Sequence, residues 1–277
     1  GVDGFGFSEY TTTLAYPRAG HVAVLLNDGT VLVVGGFGSS GELASAERWK
    51  HSYYTPELSA PTYQIKTGAL GAAGVMVNVS WTVTGSNYDS MHHFDAELRT
   101  NSSAWQPISL SEPAPLSIDM PFQPGARYQV RVRAIDRVGG IGPWATGAVF
   151  ALRGAQESAS SIAYTAGWQV QKIVGAWGGA VKHQRLAYTR ATFSFDGSRV
   201  AIVTTKGPNR GKAQILVDGV FVKSIDLYAS TIRPATIITL ANDLADGPHT
   251  VQVKVLGTKN AASTGTRVDV DGFVVID

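Results

Sequence analysis

An all-β fold follows from three features of this 277-residue sequence. Short alternating runs recur along it: His21–Leu26, Val31–Val34, Val75–Val83, Tyr128–Ile135, Ala191–Phe195, Ala213–Val217, Val251–Val255 and Val268–Val275. Gly, Pro, Asn and Asp clusters separate these runs, which is the turn punctuation of sandwiches and barrels. No stretch of about twelve residues carries apolar positions at helical spacing between caps, so helices are not expected beyond a turn or two. Hydrophobic residues make up 44% of the chain, enough to build cores and too many for a disordered chain.

Composition narrows the function. The longest uncharged stretch, Thr67 to Tyr88, is broken by Asn, Ser, Thr and Gly and does not read as a membrane span. A net charge of +2 gives no case for a nucleic-acid binder. With no Cys, the chain has no disulfides, thiolate metal sites or Cys nucleophiles, and this says nothing about its compartment. It opens at Gly1 without Met, which is expected of a processed product or a piece of a longer chain. Length alone predicts about two domains at roughly 150 residues each. Texture suggests three segments: 1–59, Gly-rich and aromatic; 60–152, opening at Ala60-Pro61; and 155–277, following Arg153-Gly154.

In the first segment, Tyr16 to Trp49 carries Pro17-Arg18-Ala19-Gly20-His21, then two apolar runs around Asn27-Asp28-Gly29, then Gly35-Gly36 and Glu47-Arg48-Trp49. Asn-Asp-Gly between apolar runs is a strong hairpin signal. The pattern resembles a single bacterial kelch repeat, which implies a propeller blade. One blade cannot close a propeller. Three readings follow: the last blade of a longer protein, a blade packed on the next domain, or a blade buried against another copy of the chain.

The second segment has Trp81 in its first long run and Pro124-Gly125-Ala126-Arg127-Tyr128-Gln129-Val130-Arg131-Val132-Arg133-Ala134 later, then Gly139-Gly140-Ile141-Gly142-Pro143-Trp144. This resembles a fibronectin type III domain. The resemblance implies a sandwich with Trp81 on a core strand, Tyr128 at a tyrosine corner, and a role as spacer. His92 and His93 are adjacent, so on a strand they face opposite ways and do not share a metal. Trp105 and Trp144 are expected to pack over the sandwich end.

The third segment carries Tyr164-x-x-Gly167-Trp168, Thr192-Phe193-x-Phe195-x-Gly197, Lys206-Gly207-Pro208-Asn209-Arg210-Gly211, Val217-Asp218-Gly219, Asp226-Leu227-Tyr228, Gly247-x-His249-Thr250 and Val268-Asp269-Val270-Asp271. It resembles a C-terminal galactose-binding-like, carbohydrate-binding jelly roll of secreted bacterial proteins. The resemblance implies a secreted or cell-surface protein with a polysaccharide or cell-surface glycan as partner. Sugar binding needs a flat aromatic face and planar polar groups. Tyr164, Trp168, Trp177, Tyr188 and Tyr228 are the aromatics; Lys206, Arg210, Arg233, Arg267 and His183 are the donors. Trp177, in the Gly-rich run 175–179, is the expected platform, with Arg210, Tyr228, Arg233 and His183 as the other ligand-binding candidates. Trp168 is expected in the core and Asp218 in a hairpin turn. Asp269 and Asp271 fall on one face of the last run. Jelly rolls of this kind often hold a structural Ca²⁺ between a carboxylate near the start and one on the final strand, which points to Glu157 and Asp271; Ca²⁺ takes six to eight oxygens. The competing reading is a salt bridge to Arg190 or Arg267.

No HExxH, GxSxG, GxGxxG or phosphate-loop motif occurs, and the His residues are scattered over all three segments. The expectation is a protein that is not an enzyme. Two functions remain: a glycan-binding module with the middle domain as spacer, or a structural subunit of an extracellular assembly in which the kelch-like segment pairs between copies of the chain.

Overall fold

The computed structural model describes residues 14–26, 31–49, 57–84, 91–111, 115–136 and 140–277. These residues form antiparallel strands, turns and a 3₁₀ turn at Trp177–Gly179, with no α-helix among them. The chain is all-β. It divides into two compact units: Gly1–Glu57 with Val83–Phe94 and Arg133–Pro143, and Leu58–Thr82 with Asp95–Val132 and Trp144–Asp277.

In the first unit, Val22–Leu25, Val31–Val34 and Ala46–Trp49 form a three-stranded sheet, with Val22 opposite Val34 and Val31 opposite Trp49. The turn residues Asn27-Asp28-Gly29 lie outside the described residues. Arg18 ties the sheet together: its guanidinium donates to the Gly35 carbonyl at 3.1 Å and the Ser45 carbonyl at 3.0 Å, and pairs with Glu47. Gly36 is required where it stands. Its φ is +97°, and a Cβ there would lie 2.7 Å from the Ala19 carbonyl oxygen.

In the second unit, Val75–Ser80 alternates cleanly: Val75, Val77 and Val79 are buried while Met76 is exposed. With Tyr63, Ile65, Phe122, Tyr128, Val130 and Phe150 they make one core. Its rings interlock, Tyr63 with Phe150 at 4.2 Å and Phe122 with Tyr128 at 4.7 Å. Trp81 is core at 2% exposure, but it stands just past the Val75–Ser80 strand rather than on it. The Tyr128 hydroxyl donates to the Gln123 carbonyl at 3.1 Å and accepts from the Gln123 N–H at 3.0 Å. Trp105 and Trp144 sandwich Arg131, at 4.4 and 4.2 Å from its guanidinium, a cation–π stack on the outer side of the sheet.

The rest of this unit is a second sandwich. One layer is a five-stranded sheet in the order Ile162–Tyr164, Arg190–Asp196, Pro248–Lys259, Gly211–Val217, Val220–Asp226. Across from it run Arg199–Lys206, Arg233–Ala241 and Gly272–Ile276, and a smaller sheet of Gln169–Lys172, Ala180–Gln184 and Val268–Val270. Between the layers Phe193 stacks on Phe273 at 4.5 Å, among Ile202, Ile215, Val253, Val255, Val268 and Val270.

The two sandwiches share hydrogen bonds. Strand Phe150–Gln156 pairs with Arg127–Asp136 on one side and with Gly272–Ile276 on the other, so Arg153-Gly154, read in the sequence as a junction, lies mid-strand. Gly68–Ala69 pairs with Thr236 and Ile237, and Asn242 accepts from the Ile65 N–H at 3.0 Å. The last apolar run differs from its reading as one strand. Val268–Val270 belongs to the small sheet and Gly272–Ile276 to the large one, because the chain changes sheets at Asp271. Asp271 is held at the crossing by its N–H to the Val203 carbonyl and its carbonyl to the Glu157 N–H, each 2.9 Å.

Candidate functional site

The loop Ile173–Gly179 sets Trp177 against the sheet. Gly154 and Gly272 leave room for the indole: a Cβ at Gly154 would come within 2.4 Å of its outer edge, and one at Gly272 within 3.1 Å. Trp177 is half-buried, with its benzo edge against Gly154 and Gly272. The loop also touches Pro234, which a Cβ at Gly175 would meet at 2.9 Å. Arg233, next to Pro234, is exposed and lies opposite Lys206. Gly207, the next residue, bridges to Tyr228, which is half-buried. Trp177, Arg233, Lys206 and Tyr228 thus follow one another along a single rim, with exposed Ile232 over Gly207.

Arg210 is not on that rim. It is 3% exposed, and its guanidinium grips Asp269 with Nε at 2.8 Å and Nη2 at 2.7 Å. Burial lowers its pKa and the Asp269 charge acts against this. Asp269 also accepts from Arg267 Nε at 2.5 Å. The salt bridge expected in this region therefore forms at Asp269, with Arg267 as partner and Arg210 as a second cation. The alternation of Val268, Asp269 and Val270 shows that Asp269 leaves the core face, but only the fold brings Arg210 to it. His183 stands opposite Asp269 on the neighbouring strand and is half-buried. Burial pushes its pKa down, and the Arg267 charge adds to this.

Glu157 and Asp271, paired in the sequence only through the resemblance to a jelly roll, lie close together and are both buried. Asp271 Oδ2 accepts from the Trp177 N–H at 2.9 Å, while its Oδ1 is buried without a hydrogen-bond partner. Burial, with the Glu157 and Asp269 charges adding, pushes the Asp271 pKa up to about 7. An unpartnered buried carboxylate oxygen beside a second carboxylate is a place where a hard cation or a shared proton is favoured. The pair offers at most four oxygens, and no group of three His, Cys, Asp or Glu gathers among the described residues, so a Ca²⁺ here would need backbone carbonyls or water as well.

Sequence reasoning missed two clefts that flank Phe195. One, of about 260 Å³, is lined by Arg153, Ser161, Phe193, Ser194 and Asp196. The other, of about 340 Å³, is lined by Ser194, Asp196, Asp218, Pro248 and His249. The second assembles a Ser, a His and two Asp residues, but the His is engaged at both nitrogens. His249 Nδ1 lies 2.6 Å from Asp218 and Nε2 2.7 Å from the Ala245 carbonyl. Those acceptors, the carbonyl first, raise its pKa, and no lone pair is left to take a proton from Ser194. Asp218 is the turn residue expected, accepting from the Thr250 N–H at 2.7 Å. The signal for the clefts is weak in the sequence because Phe195 alternates like any strand residue.

No protein-family model matches the sequence, and no curated protein matches it. Solved structures do resemble it. A two-domain esterase active on acetylated mannans aligns over 46% of this chain and 36% of its own, at 12% identity and a TM-score of 0.38. A Paenibacillus xanthan lyase aligns over 92% of this chain and 25% of its own, at 17% identity and 0.38. The carbohydrate-binding module CBM36, in complex with calcium and xylotriose, aligns over 46% of this chain and 98% of its own, at 18% identity and 0.30. The chain thus spans about a third of the length of the esterase it matches. At such TM-scores these similarities leave the chemistry of the site to be read from its own residues.

Proposed function

We propose that this is a non-catalytic, extracellular or cell-surface protein that binds a polysaccharide through its C-terminal sandwich. The observation that carries this reading is the rim on which half-buried Trp177 and Tyr228 flank the cations Arg233 and Lys206. A half-buried ring with planar or charged donors beside it suits a sugar's apolar face and its hydroxyls. The fibronectin-like sandwich, fused to the C-terminal one through Phe150–Gln156, serves as a rigid spacer. In this reading Glu157 and Asp271 hold a structural Ca²⁺ that cross-links the start of the segment to the sheet crossing and keeps the Trp177 loop in place.

The test is a glycan array on the full chain, then titration calorimetry of the saccharide it selects. Trp177→Ala and Arg233→Ala each weaken binding by at least about tenfold, roughly 1.4 kcal/mol. Arg233 is exposed, so its variant separates binding from folding. Unchanged affinity in both variants removes the rim from the site.

A second reading rests on the first unit. Among the described residues, the strand Val22–Leu25 is an edge of its sheet and exposes Val22 at 63%, Val24 at 49% and Leu25 at 72%. An exposed apolar edge strand is a template for pairing with another copy, as a structural subunit requires.

A further inference from the structure

Around His183 the charges do not balance. Arg267, Arg185 and Arg210 act on it as cations, and Asp269 is the anion among them. Asp269 is fully buried and already shared by Arg210 and Arg267. Arg267 gives Nε to Asp269 and Nη1 to Gln171, an exposed residue, but its Nη2 is a buried donor with no acceptor. Arg185 is exposed, and its backbone N–H rather than its guanidinium is what Gln184 holds, at 2.8 Å. A buried guanidinium with a free donor, a half-buried imidazole and an exposed guanidinium thus gather at one end of the small sheet Gln169–Lys172, Ala180–Gln184 and Val268–Val270, with Arg185 just past one strand and Arg267 just before another. They carry net positive charge and lack one acceptor.

We infer that this sheet carries a carboxylate-recognition site formed by His183, Arg185, Arg267 and Gln171, and that the polysaccharide the chain binds is an acidic one containing hexuronate residues. The inference rests on the saccharide reading above and adds the class of sugar. A planar carboxylate matches the forked donors of guanidinium groups and supplies the acceptor that Arg267 lacks. Gln171 and Gln169, on the same strand and both exposed, offer amide groups for the neighbouring hydroxyls. Neutral sugars have no group to balance the excess cation. The Trp177 rim, built from the loop Ile173–Gly179, Lys206, Arg233 and Tyr228, is a separate set of residues.

The test is titration calorimetry on the full chain at low ionic strength with three probes: tetragalacturonate, its fully methyl-esterified form, and tetraglutamate. The ester keeps the sugar and masks the charge; the peptide keeps the charge and discards the sugar. Tetragalacturonate is expected to bind at least about tenfold more tightly than either. Arg185→Glu, an exposed position, removes that preference, while Arg190→Glu, the same charge change on the five-stranded sheet, leaves it in place. Equal binding of acid and ester overturns the inference, as does a preference that survives Arg185→Glu. Equal binding of tetraglutamate shows a general anion patch and overturns it too. Neutral saccharides that bind while tetragalacturonate gains nothing sink this inference alone; a chain that binds no saccharide of any kind sinks the saccharide reading with it.

Discussion

Asp271 shows how much one side chain can be asked to do. It is buried at the point where the chain changes sheets, with one carboxylate oxygen on the Trp177 N–H and the other without a partner. In the unfolded chain its carboxyl titrates near the ordinary value of 3.8; in the fold burial, with the Glu157 and Asp269 charges, moves it to about 7. The neutral form is therefore the one the fold favours. The stability this group contributes is fully present below about pH 4 and is lost as pH rises toward 7. Asp271→Asn, which mimics the neutral carboxyl, is expected to flatten that part of the profile in urea unfolding at a series of pH values. Under the calcium reading, Ca²⁺ raises the midpoint of the wild type at neutral pH, a chelator reverses it, and Asp271→Asn no longer responds. A profile that is the same in both proteins shows that the pair neither holds a proton nor awaits a cation.

At the scale of elements, turns are clamped by side chains from distant strands. The hairpin turn Asp218-Gly219 accepts from the Thr250 N–H and faces His249, whose other nitrogen meets the Ala245 carbonyl. His249 titrates above its ordinary value, through the carbonyl first and Asp218 second. Asp218 titrates below its own: burial opposes this, but the Thr250 N–H and His249 outweigh it. The ion pair therefore contributes between those two ranges, lost at low pH as Asp218 protonates and lost as pH rises through the folded value of His249. A double-mutant cycle with Asp218→Asn and His249→Gln should give a coupling near pH 5–6 within the range of exposed pairs, about 0–1 kcal/mol. The coupling should fade as pH rises and the imidazole, whose pKa is raised, loses its proton. A coupling independent of pH would place the contact in neutral hydrogen bonding instead. The same scale explains why Arg153-Gly154 misleads as a boundary. A Gly after a charged residue reads as a linker, yet here Gly154 is in mid-strand because the Trp177 ring occupies the space its side chain would fill.

For the whole molecule, the open question of the first unit is what meets the Val22–Leu25 strand. Val22 and Val24 point to the same side of an edge strand and both are exposed. Burying such side chains is worth about 1.5–3 kcal/mol each, enough to drive association when several meet. In the full chain, the mass measured by light scattering should rise with concentration. The double variant Val22→Glu with Val24→Glu should hold it at the monomer value, because like charges then face each other across any paired edge. A wild type that stays at one mass over a wide concentration range ends the structural-subunit reading and leaves the binding module.

The sequence by itself determined the all-β class and most of the strands, because alternation and turn residues are local signals. Val75, Val77 and Val79 could be placed from spacing, while the buried Trp81 and the position of Tyr128 were implied by the resemblance to a fibronectin type III domain. The proximity of Glu157 and Asp271 was implied by the resemblance to carbohydrate-binding jelly rolls and by no local pattern. What only the tertiary structure decided are the pairings between distant positions. Arg210 looks like a surface donor in a Gly-rich turn, and becomes a buried partner of Asp269 because a backbone bridge between Arg210 and Arg267 joins that turn to the start of Val268–Val270. The last apolar run looks like one strand and is two: the core-facing positions shift from Val268 and Val270 to Phe273 and Val275 at the crossing, and the near-continuous apolar run hides that shift. The two sandwiches look like beads on a linker and share a sheet instead. Alternation records which face a residue occupies, whereas which strand lies beside it is set by long-range hydrogen bonding that no local pattern encodes.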